Sequence, residues 1–160
     1  MDYEKQFGTS SRFALSQRSL DNLNGVQPAL VAVVKRAIEL TKVDFGVIEG
    51  LRTQARQQEL VNSGASQTMN SRHLTGHAVD LMAYVGTRAS WELNLYDDIA
   101  DAMKAAATEL NIPIKWGGAW TVQDIRKWHG TMQSAMNGYI DERRKQGRRP
   151  FIDAPHFELP

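Results

Sequence analysis

The sequence predicts an α+β fold, a small antiparallel sheet flanked by helices. Three observations carry this prediction. Segments with apolar residues at helical spacing are interleaved with short β-branched runs. Tight-turn residues separate these segments at short intervals. No internal repeat, low-complexity tract or linker divides the 160 residues, so the whole chain, 1–160, is expected to form one domain.

In chain order, residues 1 to about 12 read as loosely ordered. Ser16 to Leu23 reads as a short helix ended by Asn24-Gly25. Pro28 suits a first helical turn, and Leu30, Val31, Val34, Ala37 and Ile38 recur at helical spacing up to Leu40. Phe45 to Gly50 is short, apolar and β-branched, hence a strand. Thr53 caps an expected helix over Gln54 to Asn62, which Ser63-Gly64 ends, and Ala65 to Asn70 is polar loop. Ala78 to Tyr84 is expected as a strand with Ala78, Asp80 and Met82 on one face. A long helix follows from about Trp91 to Leu110, with Ser90 as its cap and Asn111 as its stop.

Ile114 to Trp116 is a further strand running into Gly117-Gly118. Thr121 to Asp124 reads as a capping box before an amphipathic helix from Ile125 to Ile140, interrupted by Gly130 and Gly138. His156 to Leu159 is a terminal strand that puts His156 and Glu158 on one face.

Composition excludes several classes. Cysteine is absent, which removes disulfides, cysteine-based zinc knuckles and thiol nucleophiles. A net charge of +1 gives no case for nucleic acid as a partner. No window is apolar enough to span a bilayer, and the polar start shows no secretory signal. Charge is nonetheless uneven, because Arg143, Arg144, Lys145, Arg148 and Arg149 crowd one segment. Such a run is ordinarily a solvated helix end; its sharper reading is a contact with an anionic surface.

The chemistry concentrates in two places: Ser71-Arg-His73-Leu-Thr-Gly76-His-Ala78-Val-Asp80 and Asp153-Ala-Pro-His156. Two histidines and one aspartate form a ligand set that holds zinc and leaves a fourth position open. His73 and Asp80 are seven residues apart, and Gly76 permits the turn that brings them together, with His73 expected to end an extended piece. His156 supplies the third ligand from the sheet edge. Asp153, stiffened by Pro155, is placed to act as general base beside the metal. Arg52 is a candidate fixed positive charge for an oxyanion.

The motif Ser71-x-His73-x-x-Gly76-x-Ala78-x-Asp80 with Asp153-x-Pro-His156 resembles the zinc peptidases that share a fold with D-alanyl-D-alanine carboxypeptidases, vancomycin-resistance dipeptidases and the hedgehog signalling domain. Glu49-Gly-Leu-Arg52-Thr53, Trp116-Gly-Gly-Ala-Trp120 and Pro155-His-Phe-Glu-Leu are closest to the bacteriophage endolysin branch, the L-alanyl-D-glutamate endopeptidases. The resemblance implies Zn2+ held by His73, Asp80 and His156, with Asp153 as catalytic acid/base. It also implies Arg52 as a substrate or transition-state contact and Ser71 in a supporting role.

The implied substrate is bacterial peptidoglycan, cut at the L-Ala–D-Glu bond of the stem peptide. The implied life history is synthesis in a host cytoplasm and action on the wall in the periplasm after release by a separate protein. A monomer without nucleic acid or stable membrane insertion is expected. Ala119 stands where the branch usually carries aspartate, and about 121–150 reads as an inserted helical segment.

Each residue also has a plainer reading. His73 and His156 could be ordinary hydrogen-bonded histidines, Asp153 a turn or cap residue and Arg52 a salt-bridge partner. His77 sits at a variable motif position, and His129 reads as polar surface. Glu158 is expected to hydrogen-bond a ligand histidine. Trp116 and Trp120 are expected as core and cleft wall. The alternatives in function are a D,D-carboxypeptidase or dipeptidase with the same metal chemistry, and a non-catalytic zinc-bearing interaction domain.

Overall fold

The computed structural model describes residues 13–160, so the stretch expected to be loosely ordered at the start lies outside the described residues. Helix α1 (Gln17–Asn22) starts at Ser16, whose hydroxyl accepts from the Ser19 amide. Helix α2 (Pro28–Leu40) opens on its proline and buries Leu30, Val33, Val34, Ala37 and Ile38. Strand β1 (Asp44–Glu49) follows, then α3 (Gln54–Asn62), whose cap Thr53 accepts from the Arg56 amide. A 3-10 turn (Arg72–Thr75) leads into β2 (Ala78–Val85), β3 (Arg88–Ser90) and α4 (Leu93–Leu110). Asn111 ends α4 in the left-handed conformation, with φ of 57°. Strand β4 (Lys115–Trp116), a 3-10 turn (Ile125–Lys127), α5 (Met132–Lys145) and β5 (His156–Glu158) complete the chain.

Every strand pairing is antiparallel, in the order β1-β2-β5-β4, with β3 added to β2. The architecture is therefore the expected α+β. Alternation along β2 sends Val79, Leu81 and Ala83 into the core against α4, which in turn packs on α2. Ala78, Asp80 and Met82 take the opposite face. A slip of one residue would drive Asp80 into the core, so the apolar set of β2 fixes the position of the carboxylate. Trp116 and Phe157 are fully buried and stack at 6.2 Å, which anchors β4 against β5. Side chains of that size contribute about 2–3 kcal/mol each on burial.

Three expectations need correction. Strand β3 does not appear in the sequence reading; Val85 pairs with Arg88 across a two-residue turn at Gly86-Thr87. Ser90 is consequently the last residue of that hairpin and not the helix cap. Glu92 precedes α4 and makes no side-chain cap. Lastly, the Thr121 segment does not start a continuous helix. Asp124 caps only the 3-10 turn, the chain breaks at Gly130, and Thr131 caps α5, which runs through Gly138 as far as Lys145.

Candidate active site

His73 lies on the 3-10 turn and does not end an extended piece. The Ser71 hydroxyl opens that turn by accepting from the His73 amide at 3.2 Å. Gly76 closes it in the left-handed conformation, φ 73°, with its α-carbon so near the Gly25 carbonyl that a Cβ would meet that oxygen at 2.3 Å. The His73 ring is buried, and its Nδ1 sits 2.9 Å from the Gly50 carbonyl oxygen. A carbonyl only accepts, so Nδ1 carries the hydrogen and Nε2 is left to face Asp80 Oδ2 at 3.2 Å.

Asp80 and His156 are direct cross-strand partners in the β2–β5 ladder, which puts both side chains on one face. His156 Nε2 donates to Glu158 Oε1 at 2.7 Å, as the terminal strand was expected to allow. Its Nδ1 then lies 3.3 Å from Asp80 Oδ1. Both imidazoles thus spend the remote nitrogen on a protein acceptor and turn the other toward one carboxylate. Such outer partners fix the ring orientation and the tautomer of a metal-ligating histidine.

The donor set fits a metal ion. The three ligand atoms lie within 4.8 Å of one another. Tetrahedral bonds of about 2.0–2.1 Å separate neighbouring donors by about 3.3 Å. Oδ2 of Asp80 lies 3.2 Å from the His73 nitrogen and Oδ1 lies 3.3 Å from the His156 nitrogen, one oxygen for each imidazole. Asp80 Oδ1 is buried and accepts no hydrogen bond among the described residues, since His156 Nδ1 lacks the alignment for one. An unsatisfied buried carboxylate oxygen between two imidazoles is what a cation would satisfy.

Electrostatics agree. Burial alone would raise the Asp80 carboxyl, but His156 and His73 outweigh it and hold it well below the ordinary carboxylate range. Burial lowers the His156 imidazole, yet Asp80 and Glu158 outweigh that and push it up to about 9. The cluster therefore draws positive charge to its centre, whether proton or metal.

Asp153 reaches the same cleft through backbone pairing. Its amide donates to the Gly117 carbonyl at 2.9 Å, and the Gly117 amide donates to the His156 carbonyl at 2.8 Å. A Cβ on residue 117 would meet the Asp153 carbonyl oxygen at 2.2 Å, so the Trp-Gly-Gly segment owes this glycine to close approach. The indole N–H of Trp116 donates to the Ala154 carbonyl at 2.7 Å and fixes the same loop from below. Burial, then the charge of Asp80, raises the Asp153 carboxyl; His156, His73 and Arg52 oppose them less strongly.

Arg52 is mostly engaged by the protein. Its guanidinium forks onto Glu49 with two contacts of 2.7 Å, and Nη1 donates to Gln57 at 2.8 Å and to Ser71 at 3.4 Å. Its Nη2 also stands 3.7 Å from Asp80 Oδ2. Arg52 is thus a salt-bridge partner of Glu49 that also lines the cleft. Glu49, present in the sequence motif but given no role there, and the fully buried Gln57, which the motif omits, both hold Arg52. Glu49 had a signal, three residues before Arg52, whereas Gln57 had none.

A cleft of about 720 Å3 holds Arg52, Ser71, His73, Asp80, Asp153 and His156, so the structure brings together every predicted site residue. Trp120 walls the cleft and Trp116 is core, as expected. His77 hydrogen-bonds Thr75 at 2.7 Å on the exposed side of the turn, and His129 is exposed.

An α+β scaffold that gathers a buried His-Asp-His group able to hold a metal, with a spare carboxylate beside it in an open cleft, has the build of a hydrolase. The comparisons with known proteins narrow that class. The chain belongs to the phage L-alanyl-D-glutamate peptidase family, whose model matches residues 11–160. It is 31% identical over 151 residues to the L-alanyl-D-glutamate peptidase of Escherichia phage T5, covering 92% of this chain and 98% of that one. The L-alanyl-D-glutamate peptidase of Listeria phage A118 is 32% identical over 107 residues, 65% of this chain and 37% of the relative. Among solved structures, the Serratia marcescens L-Ala D-Glu endopeptidase ChiX is 40% identical. It superimposes with a TM-score of 0.68 over 92% of this chain and 90% of that one.

Proposed function

We propose that this protein is a zinc endopeptidase that hydrolyses the L-Ala–D-Glu bond of peptidoglycan stem peptides. The observation that carries the reading is the convergence of His73 Nε2, Asp80 and His156 Nδ1, with both remote imidazole nitrogens already hydrogen-bonded. Two imidazoles and a carboxylate suit zinc among the common divalent ions. Bound there, a zinc ion supplies a Lewis acid for the scissile carbonyl and acidifies water.

The chain's own groups do the rest. Asp153 takes the proton of the attacking water and returns one to the leaving amine, and its raised proton affinity suits it to both tasks. Arg52, locked by Glu49, presents a fixed positive charge at the cleft wall for substrate or oxyanion. Ser71 supports by opening the His73 turn and touching Arg52.

In this reading 1–160 is one domain with about 121–150 as an insertion, acting as a monomer on peptidoglycan in the periplasm of the host. No helix among the described residues is long and apolar enough to cross a membrane.

The test is digestion of purified peptidoglycan with sequencing of the new amino termini. New D-Glu termini are expected, lost with chelator and restored by zinc. Asp153→Asn should lower kcat by roughly 10^2–10^4 while retaining zinc, the range for losing a general acid–base group. Free D-Ala without D-Glu termini would replace this reading with a D,D-carboxypeptidase. Full lysis by Asp153→Asn would remove the assigned base.

A further inference from the structure

The two ends of the cleft differ in chemistry. Strands β2 and β5, which carry Asp80 and His156, occupy the middle of the sheet; β1 and β4 lie on either side of them. Just after β1 stands Arg52, paired with Glu49 and touching Ser71, a polar end. Beyond β4 stand Trp120 and Phe151, an aromatic end.

That aromatic end is built as a platform. The Phe151 ring stacks on Trp120 at 6.5 Å with planes 16° apart, and the Trp120 ring lies 5.5 Å from the His156 ring. Phe151 is nevertheless 58% exposed, so the face turned away from Trp120 is open. It is also held in place. The buried Tyr139 of α5 uses one hydroxyl twice, accepting from the Phe151 amide at 3.1 Å and donating to the Phe151 carbonyl at 2.9 Å. An exposed aromatic ring clamped on both sides of its backbone and backed by an indole gains little for folding. It is well arranged to receive a flat apolar surface.

We infer that Phe151, backed by Trp120, is a subsite for the N-acetylmuramoyl sugar to which the stem peptide is attached. The inference rests on the peptidase reading above. In a stem peptide, L-alanine is joined to that sugar through a lactyl group, so the carbonyl to be cut lies about 10 Å from the ring at extended-chain spacing. Two successive ring-to-ring steps, His156 to Trp120 to Phe151, cover a comparable distance. Polarity sets the direction. The residues after the scissile bond carry carboxylates and suit the polar Arg52 end. The sugar precedes the bond, and the C–H face of its pyranose suits the aromatic end. The inserted α5 then acquires a role, because its Tyr139 fixes the platform.

The test compares two substrates that share one peptide, the first carrying N-acetylmuramic acid and the second only the lactyl group. The wild-type protein should cut the sugar-bearing substrate with kcat/KM roughly three- to tenfold higher, the range of an aromatic stacking contact. Phe151→Leu, apolar but not flat, should bring the ratio to about one, and Phe151→Trp should keep it. Displacement of the neighbouring Asp153 would slow both substrates together and leave the ratio alone. Equal cutting of both substrates by the wild type, or an undiminished ratio in Phe151→Leu, overturns the subsite. Failure to cut either one at L-Ala–D-Glu overturns the peptidase reading itself, and the subsite with it.

Discussion

Asp80 in the cleft and Asp97 on α4 are both shielded from water, yet their carboxyls move in opposite directions. Burial pushes each toward the neutral form. Around Asp80 the His156 and His73 rings outweigh burial, and the carboxyl falls below its ordinary range. Around Asp97 burial is joined by the charges of Asp101 and Asp98, and the carboxyl rises to about 6. Each aspartate has one buried oxygen without a hydrogen bond. In the cleft that oxygen faces an imidazole in a cluster spaced for a cation; on the helix no cation comes within ion-pairing distance of Asp97 among the described residues. A lone unsatisfied carboxylate oxygen is therefore ambiguous, and the surrounding donors decide whether it marks a ligand site or a strained acid.

The sharpest way to test the cleft side is Glu158→Gln. The amide oxygen can still accept from His156 Nε2, but the negative charge that strengthens the ring as a ligand is gone. Metal affinity, measured by competition with a chelator, should fall roughly 10- to 100-fold, and peptidase activity with it. His73 provides the internal contrast, since its Nδ1 is held by a neutral Gly50 carbonyl. Unchanged affinity in Glu158→Gln would mean that charge behind His156 does not matter, and that the two histidines are equivalent in their support.

Much of this layout was legible because it rests on local or periodic signals. Pro28 with the Leu30 to Ile38 stripe gave α2, Thr53 and Ser63 bounded α3, and the alternation of Ala78 to Tyr84 identified β2 and its outward Asp80. The donor residues of the site were legible from type and spacing. The facing nitrogen of each imidazole was only half so: Glu158 was visible beside His156, whereas the Gly50 carbonyl that orients His73 comes from elsewhere in the chain. Gln57 was hidden for the same reason. It sits in a polar helix, and its partners Ser66 and Thr68 reach it only after the following loop folds back. The capping signal at Thr121 misled because Asp124 caps a 3-10 turn with the same side-chain chemistry that caps an α-helix. The β2–β3 hairpin was missed because its second strand, Arg88-Ala-Ser90, is too short and polar to show alternation.

Asp97→Asn tests the other side of the comparison. A carboxyl raised from 3.8 to about 6 keeps its proton in the folded state after the unfolded chain has released it. Stability therefore declines from pH 4 to pH 6 and stays lowered above that. The shift could cost up to about 3 kcal/mol; discounted for solvent screening around the neighbouring Asp98 and Asp101, about 1–2 kcal/mol is expected. In urea unfolding, Asp97→Asn should match the wild type near pH 4 and exceed its stability by that margin at pH 7.5. An equal difference at both pH values would show that the side chain acts through packing and not through ionisation.

The smallest effect belongs to charges that are not buried at all. Arg144, Lys145, Arg148 and Arg149 are exposed and form no ion pair among the described residues. Arg143 differs from them: it is half-buried and donates to the Arg149 carbonyl at 3.2 Å, so it braces the turn after α5. The five form one basic run in sequence, and the structure separates Arg143 from the rest. Their position at the end of α5 also lets them offset its dipole, which needs no partner. An anionic wall polymer would add an attraction that salt screens over about 10 Å at 0.1 M. Replacing Arg144, Lys145, Arg148 and Arg149 by Gln while keeping Arg143 should weaken co-sedimentation with purified peptidoglycan a few-fold at 20 mM salt. At 0.3 M salt the two proteins should sediment alike. Equal sedimentation at low salt would leave these residues as a solvated helix end, and would confine specific recognition to the cleft.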